Sequence, residues 1–184
     1  MPTDQDDLRD ALKQAASALA AAQVPFALGG SYALWVHGAP EPGHDVDFLV
    51  AEHDTEQAAA VLAEAGFEID RPPESWLFKA RTGGATVDVL HALRGEPIDR
   101  QRLDHAERAQ VFGVWMPVMP ATDVIVAKLA SLDEHYCDFG ALLPLVRAVR
   151  EQLDWQRLAD STKSNDFAVA FLFLAGRLGL VPPE

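Results

Sequence analysis

The sequence predicts an α/β (α+β) fold, with an N-terminal α/β part to about residue 118 and an all-helical C-terminal part. Three observations lead there. Between residues 26 and 118, short β-type runs interleave with amphipathic stretches of helical period. After Pro120 the character changes, and helical segments follow to the end. With 184 residues, 49% of them hydrophobic and 23% charged, the chain can bury roughly 70% of the surface it would expose unfolded.

The elements follow in order. Leu8, Leu12, Ala15, Ala16 and Leu19 share one face of a helix over Asp6–Gln23, whose acidic first turn suits the positive end of the helix dipole. Pro25 ends it. Phe26–Leu28 is a short buried strand, Gly29-Gly30 a turn and Ser31–His37 a second helix. Turn residues make 39–43 a loop. In Asp45–Val50, Val46, Phe48 and Val50 alternate with Asp45, Asp47 and Leu49, the period of a strand. A helix over Thr55–Ala65 is closed by Gly66. Phe67–Ile69, Trp76–Ala80 and Thr86–Leu90 are three more strands, the last two joined at Gly83-Gly84, and Phe112–Val118 is another. Thr122 is placed to cap a helix carrying Val124, Ile125, Ala127, Leu129 and Leu132. Helices near Phe139–Gln152, Trp155–Thr162 and Asp166–Leu178 complete the chain, which divides into segments 1–118 and 119–184.

Composition narrows the function. Against 15 Lys and Arg stand 28 Asp and Glu, for a net charge of −13 and a pI near 4.7. That excess argues against general DNA or RNA coating, where cations must neutralise phosphates. It suits a cationic small molecule or a basic partner, and it leaves room for a nucleic-acid enzyme with a local basic lip. Cys137 is the only cysteine, so neither an intrachain disulfide nor a cysteine zinc cage can form. The six histidines show no metal-ligand spacing. Residues 1–10 lack the basic start and apolar run of a signal peptide. The longest apolar stretch, Phe167–Ala175, falls far short of the ~20 residues that span a bilayer. The expectation is a soluble, cytoplasmic protein without a membrane partner.

Trp35, Trp115 and Trp155 read as core anchors, and Trp76 as the tryptophan nearest a cleft. Lys79, Arg81, Arg94, Arg100, Arg102 and Arg108 are interleaved with acids and read as a mixed solvated face, which a tRNA acceptor would use for phosphate contacts. The C-terminal helices carry Phe167, Phe171 and Phe173, residues for core packing or for a dimer or antitoxin interface.

One constellation carries chemistry. Gly29 and Gly30 permit a tight strand-to-helix turn and a close backbone approach to a ligand, and Ser31 opens the next helix, where free N–H groups favour phosphate. Asp45 and Asp47, two apart on a strand, project from one face. Asp88, between Val87 and Val89, is a lone acid in another β-type run. If those strands are neighbours, three carboxylates converge beside a phosphate cradle. Such a set suits Mg²⁺, and two ions could assist an in-line displacement with Asp88 accepting the hydroxyl proton. Each motif alone is equally well a turn or a solvated strand face; an acid among buried β-type residues, at Asp47 and at Asp88, carries a cost that a metal would relieve.

These residues resemble the nucleotidyltransferase superfamily with the polymerase-β-like core, whose signature is a Gly-Gly or Gly-Ser turn, a short helix, acid–apolar–acid on a strand and a third acid on a later strand. More narrowly, the chain is similar to minimal bacterial AbiEii-type and mycobacterial nucleotidyltransferase toxins, which carry a later helix with a functional lysine and then an aspartate. Here those are Lys128 in the helix after Ala121, and Asp138. The resemblance runs from about residue 24 to the C-terminus.

It implies a mixed-sheet nucleotidyltransferase core followed by a helical bundle. It also implies transfer of a nucleoside monophosphate from an NTP such as ATP to a hydroxyl on tRNA or protein, with Mg²⁺ and loss of pyrophosphate. Gly29, Gly30 and Ser31 would hold the triphosphate, and Asp45 and Asp47 both metals. Asp88 would share one metal and act as base. Lys128 would contact phosphate or acceptor, and Asp138 would orient Lys128 or the nucleotide. A toxin of this kind would pair with an antitoxin protein. Many relatives carry Arg and Ser or Thr four and two residues before the first acid; here Glu41 and Gly43 stand there, so a cation and a hydroxyl that could touch phosphate are missing, and His44 is a partial substitute. Two alternatives follow: a nucleotidyltransferase of a small molecule such as an aminoglycoside, whose cation an acidic cleft would attract, and an inactive relative acting as a binding module.

Overall fold

Helix α1 (Asp4–Ala21) buries the stripe of Leu8, Leu12, Ala15, Ala16 and Leu19 that its period predicts. In this computed structural model, which describes residues 4–181, that stripe packs on the central sheet and on α3 (Thr55–Glu64). The ends of the expected segments, 1–3 and 182–184, lie outside the described residues.

Among the described residues the central sheet has seven strands. In chain order they are β1 (Phe26–Leu28), β2 (Val46–Val50), β3 (Glu68–Asp70), β4 (Leu77–Thr82) and β5 (Ala85–Leu90), then, after the two-stranded hairpin β6 (Ala92–Leu93) and β7 (Glu96–Pro97), β8 (Glu107–Val111) and β9 (Val114–Val118). Their spatial order is β3-β4-β5-β2-β1-β9-β8. The sheet is mixed: β2 runs parallel to β5 and antiparallel to β1, and β1 pairs with β9 in parallel. Parallel neighbours need a crossover, which α3 and the strands β3 and β4 provide between β2 and β5. The two central strands are buried on both faces, so their few polar residues stand out.

Helix α2 (Gly30–Val36) packs on β2 and on α5 (Ala121–Ala130), and so joins the sheet to the C-terminal helices. Those continue with α6 (Phe139–Val149), α7 (Trp155–Thr162) and α8 (Asp166–Arg177); the short α4 (Arg100–Leu103) precedes β8. Asp138, Asp154 and Asn165 cap α6, α7 and α8 through side-chain oxygens that accept backbone N–H bonds. The buried core is continuous from Leu8 to Leu180.

Several local expectations change. Strand β2 begins at Val46, leaving Asp45 one residue ahead of it and exposed. Pro120, not Thr122, precedes α5; the Thr122 hydroxyl accepts from the Asp154 amide instead and ties α5 to α7. Trp115 is no core anchor, being 57% exposed on the outward face of β9. Trp35 does anchor, stacked on Phe112 with centroids 4.7 Å apart. Of the C-terminal phenylalanines, Phe171 is fully buried, whereas Phe173 is exposed. No helix among the described residues is long and apolar enough to cross a membrane.

Candidate active site

The site begins at the turn between β1 and α2. The Gly29 amide donates to the Asp47 carbonyl at 2.8 Å, which draws the turn against β2. Gly30 has φ of +54°, in the left-handed region, and a Cβ there would collide with the Asp47 carboxylate. A Cβ on Gly29 would strike the Leu49 side chain. Gly30 is therefore required by backbone shape and by the acid that lies over it, whereas Gly29 is extended and a Cβ there meets only the end of the Leu49 side chain.

Asp47 and Asp88 are register partners on the parallel strands β2 and β5. Partners in adjacent strands lie about 4.8 Å apart and project to the same side, so the two carboxylates stand next to each other, as the three-acid expectation requires. The third does not complete a cage: Asp45 is exposed and does not line the cleft, and among the described residues no group of three acidic, histidine or cysteine side chains could hold a metal. Burial pushes the Asp47 carboxyl up to about 6; Asp88 and Asp45 add to the rise, while Lys128 and Lys79 oppose it.

Both lysines have geometric partners. Lys128, in the last turn of α5, donates to the Ser31 hydroxyl at 3.1 Å. This contact joins the two sequence segments at the site. Lys79 on β4 donates to both oxygens of Asp88, at 2.8 and 2.9 Å, from the position directly opposite it in the antiparallel β4–β5 pair. Asp138 lies on the cleft wall with its Oδ1 accepting from the Ala141 amide at 2.9 Å, while Lys128 turns to Ser31.

Gly29, Gly30, Ser31, Asp47, Asp88, Lys128 and Asp138 all line one cleft of about 1670 Å³. Trp76 stands on its edge, 40% exposed, as expected of the one tryptophan read as lying near a cleft. Arg94 and Arg102 also line it, so part of the mixed charged face is cleft wall. Arg81 and Arg100 instead pair with Asp70 and Asp54.

Sequence reasoning missed Lys79 and the partner of Glu41. Glu41 takes two hydrogen bonds from Arg9, both at 2.7 Å, and the Arg9 guanidinium lies 5.4 Å from the Phe112 ring centroid. This residue thus fastens the 39–43 loop to α1. Arg9 holds the Glu41 carboxyl below its ordinary value of 4.5. A lowered value stabilises the fold above the unfolded pKa, and the contribution is lost as pH falls through the folded one. Glu41→Gln is accordingly expected to lower the melting temperature at neutral pH, and the gap from the parent protein to close in strong acid. An equal gap across that range would show that no linkage exists.

A divalent cation fits this donor set. Mg²⁺ is commonly held by one or two carboxylates plus substrate phosphates; Asp47 and Asp88 supply the carboxylates, and the lack of a Cβ at Gly30 lets the Asp47 carboxylate lie against the turn.

The mixed sheet, the glycine turn against an acid and the helical C-terminal part define the nucleotidyltransferase fold. A family model described as "Uncharacterised nucleotidyltransferase" matches residues 4–181, and the chain belongs to that family of NTP-using transferases. Solved structures share the fold at low identity. The antibiotic-resistance factor ANT(2'')-Ia, solved in complex with adenylyl-2''-tobramycin, is 12% identical with a TM-score of 0.58, over 92% of this chain and 98% of that one. An antigenic nucleotidyltransferase-like protein from Paracoccidioides brasiliensis is 15% identical with a TM-score of 0.56, over 91% and 93%. The lincosamide antibiotic adenylyltransferase LnuA, lincomycin-bound, is 10% identical with a TM-score of 0.54, over 74% and 92%. No curated protein matches the chain.

Proposed function

We propose that the protein transfers a nucleoside monophosphate from an NTP, with Mg²⁺ and release of pyrophosphate, to a hydroxyl on a small cationic molecule. The observation that carries this reading is the pairing of Asp47 with Asp88 on the floor of the cleft, beside the Gly29-Gly30-Ser31 turn and Lys128. The segments divide the work: 1–118 supplies the turn and the acids, 119–184 supplies Lys128 and Asp138. Ser31 and Lys128 take the phosphates. Asp47 and Asp88 would hold the metal, with Asp45 in support through its charge. Asp88 receives the proton of the attacking hydroxyl, and Asp138 orients the bound nucleotide from the cleft wall. Bound Mg²⁺ would neutralise the triphosphate and polarise the phosphoryl group under attack.

Charge supports the acceptor. A net charge of −13 favours a cation and disfavours the many phosphate contacts of tRNA. Two neighbours of similar fold, ANT(2'')-Ia and LnuA, are by description an antibiotic-resistance factor and an antibiotic adenylyltransferase. The need for an NTP and Mg²⁺ supports a cytoplasmic setting. The toxin-like reading, with tRNA or protein as acceptor and an antitoxin partner, is the rival.

Incubation with each α-labelled NTP and Mg²⁺, in turn with aminoglycosides, tRNA and total protein, separates the two. The expected result is label on the aminoglycoside alone. Label on tRNA or protein, with expression toxicity relieved by Asp47→Asn, would establish the toxin reading instead.

A further inference from the structure

Asp88, which lines the cleft, already has a cation beside it. Lys79, Asp88 and Asp47 form one row across β4, β5 and β2, each the register partner of the next. The Lys79 ammonium meets both Asp88 oxygens at 2.8 and 2.9 Å, an even two-point contact with the carboxylate. The Asp88 side chain is 12% exposed and that of Lys79 29%, so water screens this pair poorly. Strand pairing fixes both backbones, which makes the contact a product of the β4–β5 hairpin and not of a mobile surface chain.

An ammonium and a dication sharing one carboxylate repel each other at this range. We propose that Lys79 is the resident counter-ion of the acid pair, a positioning residue that must leave Asp88 before a divalent cation can use that carboxylate. The inference rests on the reading of Asp47 and Asp88 as metal ligands and adds an order to it. The nucleotide-free protein binds divalent cations weakly. A triphosphate entering the cleft offers the Lys79 ammonium another anion, and Asp88 is then released to the metal that arrives with the nucleotide. Lys79 thereby couples metal capture to nucleotide capture.

The test is Mn²⁺ binding to the full chain, followed by electron paramagnetic resonance, without nucleotide and with ATP. Lys79→Met is expected to tighten nucleotide-free Mn²⁺ binding at least about tenfold, because a competing cation is gone. Lys79→Arg, which restores that cation, is expected to bind as weakly as the parent. Adding Asp88→Asn to Lys79→Met is expected to abolish the gain. A cooperatively melting Lys79→Met protein that binds Mn²⁺ no more tightly than the parent would overturn the inference. If the parent binds no Mn²⁺ even with ATP, the metal-site reading itself fails and the inference with it. A second measurement on the parent protein avoids dependence on a variant's folding. Lysine acetylation read by mass spectrometry is expected to show Lys79 protected in the metal-free protein and labelled faster at saturating Mn²⁺ without nucleotide, where the metal holds Asp88 and no triphosphate takes the ammonium. An unchanged rate with Mn²⁺ alone bound to saturation would also overturn it.

Discussion

Asp47→Asn is expected to abolish nucleotide transfer and at the same time to make the metal-free protein more stable at neutral pH. The first effect follows from loss of the carboxylate that faces both the glycine turn and Asp88. A fall of at least about 10³-fold in kcat/KM is expected, the scale seen when one preorganised electrostatic contact is removed. Asp88→Asn should lose transfer to a similar degree. The second effect has the opposite sign because the Asp47 carboxyl is raised from 3.8 to about 6. The folded state binds this proton more tightly than the unfolded chain, so the group's contribution to stability falls as pH rises between those values and stays unfavourable above them. A neutral amide removes that cost, which amounts to about 1–3 kcal/mol after allowance for the two lysines that lose attraction. Thermal melts in the presence of a chelator check this. The variant should melt higher than the parent at neutral pH and approach it near pH 4, where the parent's Asp47 is protonated. A variant less stable at neutral pH would mean that the lysines outweigh burial.

Gly30→Ala is the second large effect. Its φ of +54° costs an L-residue about 1–2 kcal/mol, and the new Cβ would drive into Asp47. The sum is expected to reach about 2–4 kcal/mol, within the range of strain at a special backbone position. Gly83 provides the control, since its φ is +56° and a Cβ there meets nothing within 4 Å. Gly83→Ala should therefore cost only the backbone share. Whatever Gly30→Ala loses beyond Gly83→Ala measures the contact with Asp47, and transfer should fall with it even in the fraction that folds. Equal losses at both positions would place Asp47 away from the turn.

The sheet's centre was legible because its residues signal locally. Phe26–Leu28, the double glycine and the alternation of Val46, Phe48 and Val50 each report their own neighbourhood, and they predicted β1, the turn and β2 nearly as found. Asp88 was legible for the same reason, a lone acid within a β-branched run. The edges were less so. Strand β8 carries Glu107, Arg108 and Gln110, mostly exposed, because an edge strand faces solvent and has no apolar alternation to read. Pairings distant in sequence left no local trace: Arg9 lies 32 positions from Glu41, and Lys128 lies 97 from Ser31. Lys79 is an intermediate case. With the turn at Gly83-Gly84, Thr82 faces Ala85, and counting outward places Lys79 opposite Asp88. The information was present in the hairpin, but the lysine read as one charge among many. The start of β2 is a smaller case: it falls at Val46 and not at Asp45, since a strand's first residue is set by pairing and not by its own alternation.

The central claim is that the Gly29-Gly30-Ser31 turn and the Asp47–Asp88 pair form a nucleotide site that works with a divalent cation. Calorimetric titration of the protein with each common NTP, with and without Mg²⁺, tests it most directly. The expected result is saturable one-to-one binding of at least one NTP in the presence of Mg²⁺, weakened by Asp47→Asn and by Asp88→Asn. A folded, cooperatively melting protein that binds no NTP at millimolar Mg²⁺ would contradict it and leave the cleft of an inactive binding module.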